Sequence, residues 1–164
     1  MMNKPLDEHS FNHKGQFICL TIFLAVWIAD SFVLKYTTFY SQYIPVWFRI
    51  IIFILTILSV VLIIRAAILS FPENKDVDNV ISDGVFKYLR HPMYFSCIVL
   101  YIGLSLSTVS LIAFFLTLPI FLFYNQIAKY EEKSLMERLG KPYLVYIQKS
   151  SRWLPIKVKN DINI

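Results

Sequence analysis

Glycine is scarce: four residues in 164, at Gly15, Gly84, Gly103 and Gly140, each far from the next. That spacing excludes a G-x-G-x-x-G loop and any dinucleotide site built on one. Cysteine is scarcer still. Cys19 and Cys97 both fall in apolar stretches, where a thiol packs as a small hydrophobe, so neither a disulfide nor a thiolate metal site is expected. The three histidines, His9, His13 and His91, are dispersed. His9 and His13 can share a helix face, but no further ligand stands near them, and no metal is expected. Charge is thin as well, at 16% of residues, and positions 91–128 hold no Asp, Glu, Lys or Arg. The longest polar stretches are 72–90 and the tail from Lys129, which leaves no room for a soluble catalytic domain. A separate basic domain for nucleic acid is lacking too.

What is abundant is apolar surface. At 57% hydrophobic, the chain has more than a soluble domain of its size can hide, and residues 1–164 read as one domain that uses lipid as its solvent. Residues 17–34 and 46–71 are each long enough for a spanning helix. Arg49 and Arg65 stand near the ends of the second, where long side chains snorkel to headgroups. No small-residue cleavage site follows the first span, which reads as a retained helix. The stretch 93–127 would measure roughly 52 Å as one straight helix, against a hydrocarbon core of about 30 Å. It is therefore expected to fold back at Ser105, Ser107, Thr108 and Ser110 into two helices of about 15 residues each. The fold class is thus an all-α, multi-pass membrane bundle of about four spans, with a helical hairpin at 93–127 and a short cytosolic helical segment at the C-terminal end. Of the 16 Lys and Arg, all but Lys35 and Arg49 fall on one side of this plan. The positive-inside rule then puts both termini in the cytoplasm, of a bacterial inner membrane or an endoplasmic reticulum. Asp30 falls near the outer surface and reads as interfacial or paired with Lys35.

Nearly every group able to do chemistry gathers at the inner end. Gly84-Val85-Phe86-Lys87-Tyr88-Leu89-Arg90-His91-Pro92-Met93-Tyr94 opens the hairpin, and Glu131-Glu132 closes it. Leu135, Gly140, Tyr143 and Tyr146 follow, then Arg152-Trp153-Leu154-Pro155. Pro92 suits the first turn of a helix, whose unbonded N–H groups attract an anion. His91 and Tyr94 stand at its rim, although a His-Pro cap and an aromatic-belt tyrosine would look the same. Gly140 fits a helix end with Pro142 as its stop. Tyr143 and Tyr146 either wall a ligand or pack.

As a linked set these motifs, covering 84–155, resemble the integral-membrane methyltransferases typified by isoprenylcysteine carboxyl methyltransferase. The resemblance implies S-adenosylmethionine in a cytosolic pocket formed by 78–94 and 125–155. It assigns the cofactor to Val80, Ile81, Phe86, His91, Pro92, Met93, Tyr94, Glu131, Glu132 and Tyr143. Arg90 and Glu131 are its catalytic pair, and Arg90 with Arg152 its contacts to substrate. Neighbours on a helix point about 100° apart, so Glu131 is expected to face the cofactor while Glu132 supports the helix through Arg138 or solvent. Methyl transfer from a sulfonium needs alignment and preorganised charge rather than a nucleophile or metal. The implied acceptor is lipophilic and enters from the bilayer, with Pro119 kinking the last span to admit it. A prenylcysteine-type carboxylate leads, and a phospholipid or other lipid amine follows. An NADPH-dependent sterol-type reductase and a non-catalytic membrane protein are the readings from other classes. One position departs from the carboxyl methyltransferases: their substrate-binding arginine, four residues before the first glutamate, is here Ile127.

Overall fold

The structure, a computed structural model, describes residues 6–70, 80 and 82–154. Phe71, Ile81 and Pro155 lie outside the described residues. Five α-helices follow in order: α1 (Leu6–Ile28), α2 (Val46–Leu69), α3 (Pro92–Thr108), α4 (Leu111–Leu139) and α5 (Lys141–Lys149). A π-helical turn, Ala29–Leu34, extends α1, and 3-10 turns occupy Thr38–Tyr43 and Gly84–Lys87. No strand occurs among the described residues, and the β contact they show is one isolated parallel bridge, Leu89 to Ser151.

Three helices are long and apolar enough to cross a membrane: Lys14–Leu34, Val46–Leu69 and Leu111–Leu139. The fourth apolar helix, α3, has 17 residues. At 1.5 Å per residue it measures about 26 Å, just under a hydrocarbon core of roughly 30 Å. The expected hairpin is present, with its turn at Val109-Ser110. The second arm is much longer than expected, because α4 runs on through Pro119 and past the end of the apolar stretch to Leu139. A change from apolar to polar residues ends a membrane span but not a helix. No glycine or proline intervenes between Ile120 and Leu139, and only at Gly140 (φ 63°) does the chain turn. Pro142 does not stop a helix there. It sits in the first turn of α5, where its missing N–H costs nothing.

The chain divides into two units. The first comprises Met1–Thr56 and Ile98–Ile127. In it, Gly103 admits α2 at close range, since a Cβ there would come within 2.1 Å of Thr56 Oγ1. Tyr101 is fully buried against Phe23 (4.3 Å between ring centroids) and shares a 3.0 Å hydrogen bond with the Tyr124 hydroxyl. Asp30 is buried and is not an interfacial partner of Lys35. Its carboxylate accepts bonds from the Thr37 backbone N–H (3.0 Å), the Thr37 hydroxyl (2.5 Å) and the Ser110 hydroxyl (2.5 Å). The same two hydroxyls cap α4. Thr37 Oγ1 accepts from the N–H groups of Leu111 and Ile112, and Ser110 Oγ accepts from that of Ala113. With Phe114 N–H on Ser110 O, all four leading amides of α4 are satisfied, and an acid lies behind the positive end of its dipole.

The second unit comprises Ile57–Cys97 and Ala128–Ile164. Ser70 anchors its first loop: its hydroxyl donates to Ala66 O and accepts from Val85 N–H at 3.1 Å. Gly84 meets two demands there. Its φ is +57°, and a Cβ would fall 2.0 Å from Ser70 Oγ.

Candidate active site

All the polar side chains of the site belong to the second unit. Its frame is a backbone clasp: Arg90 N–H donates to Ser151 O (2.8 Å) and Ser151 N–H donates to Tyr88 O (3.0 Å). This ties the loop before α3 to the segment after α5. Tyr146 adds a second tie, its hydroxyl donating to Phe86 O at 2.8 Å.

At the centre stands Glu132, on the polar end of α4, 5% exposed. Arg90 Nε donates to its Oε1 at 2.8 Å, Arg152 Nε donates to the same oxygen at 2.9 Å, and Arg152 Nη2 bonds Oε2. His91 Nε2 lies 3.2 Å from Oε1. Burial opposes ionisation of this carboxyl, but the bonds from His91, Arg152 and Arg90 outweigh it and hold it well below the usual carboxylate range. Arg90 does more than pair. Its Nη1 donates to the carbonyls of Ile147 (3.0 Å) and Ser150, which closes the C-terminal end of α5. A cation belongs at that end of a helix dipole. Glu132 therefore supports its helix through Arg90 and Arg152, where Arg138 or solvent was expected.

Glu131 points elsewhere, as neighbours on a helix must. Its Oε1 accepts from the Tyr94 hydroxyl at 2.6 Å, and its Oε2 lies 3.6 Å from His91 Nδ1. The side chain of Glu131 stays 23% exposed, whereas His91 is at 9%. His91 is thus set between two carboxylates, with its ring stacked on Tyr94 at 5.3 Å and 8°. The backbone ladder of α3 includes Phe95 N–H on His91 O, the residue before Pro92.

The fold thus brings Arg90, His91, Tyr94, Glu131, Glu132 and Arg152 together. Pro92 is buried at the first position of α3, and Met93 is exposed. Tyr143 is buried; burial, then the negative charge of Glu132, push its phenol above the tyrosine range. Burial likewise pushes Tyr146 up to about 12. Phe86 enters through its carbonyl, and Val80 is half-buried, with no polar role among the contacts described. Ile127, the position of the family arginine, belongs to the first unit and is buried there, 3.8 Å from where a Cβ on Gly15 would lie. Sequence reasoning missed Ser70, the carbonyls of Ile147 and Ser150, and the Ser151 clasp. Backbone acceptors carry no residue signature; Gly84 was the one available hint of a close neighbour.

Among curated proteins and among solved structures, nothing matches the chain. A family model does match: that of the phospholipid methyltransferases, over residues 44–141, which takes in α2, the whole stretch from Gly84 to Tyr94, and both glutamates. With Arg90-His91-Pro92 and Glu131-Glu132 joined in one cluster inside the matched region, the chain belongs to the phospholipid methyltransferase family, integral-membrane methyltransferases related to the isoprenylcysteine carboxyl methyltransferases.

Proposed function

We propose that the protein transfers a methyl group from S-adenosylmethionine to the amine of a phospholipid or a related membrane lipid. The observation that carries the amine over the carboxylate is the engagement of both arginines. Arg90 and Arg152, the cations assigned to a carboxylate acceptor, both grip Glu132, and position 127 is apolar. The half-exposed group left facing outward is an acid, Glu131. That polarity suits an ammonium, and the family description favours a phospholipid in the same direction.

The residues also suit the cofactor. The start of α3, at Pro92, is a fit for its carboxylate. Glu131, partly exposed and oriented by Tyr94, is a fit for its amino group or ribose hydroxyls. The sulfonium, when bound, supplies a methyl group already activated for displacement. What remains for the protein is to align the acceptor, exclude water and receive a proton from an amine, a step for which Glu131 and His91 are the candidate bases. Arg90, Arg152 and Glu132 are positioning residues in this reading. The cytosolic orientation of the site, with both termini inside, rests on the distribution of Lys and Arg.

The test begins by titrating the detergent-solubilised protein with S-adenosylmethionine and with NADPH. Radiolabelled S-adenosylmethionine is then supplied with phosphatidylethanolamine and, separately, with a farnesylcysteine analogue. Binding of the first cofactor and base-stable label on the phospholipid are expected. Base-labile label on the carboxyl group of the farnesylcysteine analogue would restore the carboxylate acceptor, and binding of NADPH alone would end the methyltransferase reading.

A further inference from the structure

The clasp that frames the site also presents a surface. Its bridged pair is Leu89 and Ser151, in parallel, and each segment carries a lysine two residues earlier, Lys87 and Lys149. Both are exposed, as is Lys141 at the start of α5. Among the described residues none of the three has an acid partner. The carboxylates that pair there are Glu131, Glu132 and Glu137, and their partners are Arg90, His91, Arg152 and Lys133. Nor does the end of α5 require Lys149, because Arg90 already donates to the carbonyls of Ile147 and Ser150. The sequence around the lysines is one-signed: positions 84–130 hold no Asp or Glu, and positions 138–160 hold six Lys and Arg with no acid. The same segments expose apolar groups, Tyr88, Met93 and Leu154.

Depth in the membrane follows from α3, which starts at Pro92, directly after the clasp. With 17 residues it measures about 26 Å, short of the roughly 30 Å hydrocarbon core, so its first turn and the clasp are drawn to the level of the headgroups. Lysines at that level reach lipid phosphates with their ammonium groups, while their stems and the aromatic and apolar neighbours stay at the acyl boundary. A zwitterionic headgroup neutralises its own phosphate, so lysines without an acid partner favour lipids of net negative charge. We propose that Lys87, Lys141 and Lys149, with Tyr88, Met93 and Leu154, form a seat for the anionic surface of the bilayer. This contact stabilises the clasp that brings Arg90 and Arg152 to Glu132. The inference goes beyond methyl transfer and stands whichever acceptor the site methylates.

The test uses the full chain in phosphatidylcholine nanodiscs with a trace of dansyl-labelled lipid, either phosphatidylglycerol or phosphatidylcholine. Energy transfer from Trp153 is read against Trp153→Phe, which leaves Trp27 and Trp47 as background. Stronger transfer to the anionic label is expected, each lysine contributing about fivefold at low salt and much less at high salt. Lys87→Gln with Lys149→Gln should reduce the preference roughly 25-fold, whereas Lys87→Arg with Lys149→Arg should keep it. Phosphatidylglycerol added to the discs should raise the unfolding temperature of the natural chain and not that of the glutamine pair. Equal transfer to the two labels, or a preference that the glutamine pair retains, overturns the seat. If glycerol phosphate abolishes the preference where chloride of equal ionic strength does not, the lysines serve a soluble anion and the bilayer assignment fails. Should the glutamine pair not fold, the salt titration of the natural chain still decides: a preference indifferent to salt is not electrostatic and ends the proposal.

Discussion

The paired glutamates show how far one residue's environment separates it from its neighbour. Glu132→Gln leaves Arg90, 9% exposed, and the half-buried Arg152 around a neutral amide, and breaking a buried pair by removing one partner costs about 3–5 kcal/mol. A large fall in thermal stability is expected, read by unfolding in detergent. Glu131→Gln should instead keep the fold and weaken S-adenosylmethionine binding by roughly ten- to a hundredfold, the effect of losing a charge-assisted bond of about 1.5–3 kcal/mol. Equal small effects from the two changes would mean that neither glutamate has the role given it. The pH dependence has a definite sign. A carboxyl whose folded value is depressed stabilises the fold above its ordinary value of 4.5, and that stability is lost as pH falls toward the folded value. Unfolding temperatures should therefore be flat with respect to Glu132 from pH 6 to 8 and decline below about 4.5, with a shallower decline in Glu132→Gln. Ile127 yields the opposite of what family geometry suggests. Restoring an arginine there puts a charge on a side chain 4% exposed within an apolar segment, at a cost of about 2.5–3.5 kcal/mol. Ile127→Arg is expected to lower stability rather than to create a carboxylate acceptor site, which parallel unfolding and transfer assays would report.

At the scale of elements, the hairpin turn carries an avoidable strain. Val109 has φ 59°, and Val109 N–H to Leu106 O with Ser110 N–H to Ser105 O makes the two-bond C-terminal cap that usually holds glycine. A β-branched residue in that conformation costs about 1–2 kcal/mol. Val109→Gly should accordingly raise stability by about 1 kcal/mol, after the greater chain entropy of glycine is subtracted. No rise in unfolding temperature would show that the valine side chain has a packing role that offsets the strain. The turn was legible in the cluster of Ser and Thr from Ser105 to Ser110, because small hydroxylated residues bond back to the helix end: Ser105 to Tyr101 O, Ser107 and Thr108 to Leu104 O. The length of α4 was not legible, since the apolar stretch reports where lipid ends and not where the backbone ladder ends.

For the whole molecule, orientation is the property on which function depends. Reporter fusions after residues 40 and 108 should face outward, and fusions after residues 80 and 164 should face the cytoplasm. A cytoplasmic signal from the loop near residue 40 would reverse the orientation and put the site on the wrong side for a soluble cofactor.

The sequence by itself determined that the chain is helical and membrane-embedded, that its chemistry-bearing residues cluster at one end of a hairpin, and which methyltransferase class it resembles. These follow from composition, from the length of apolar stretches and from motif spacing, all of which act along the chain. Only the tertiary structure decided what the motif residues do. Whether an arginine meets a substrate or an internal glutamate depends on which groups lie within about 3 Å of it in space. In this fold Arg90 and Arg152, 62 positions apart, meet on Glu132. Asp30 was placed by sequence position beside Lys35, yet burial binds it to Thr37 and Ser110 instead, because a buried carboxylate must be matched by donors wherever the fold can supply them.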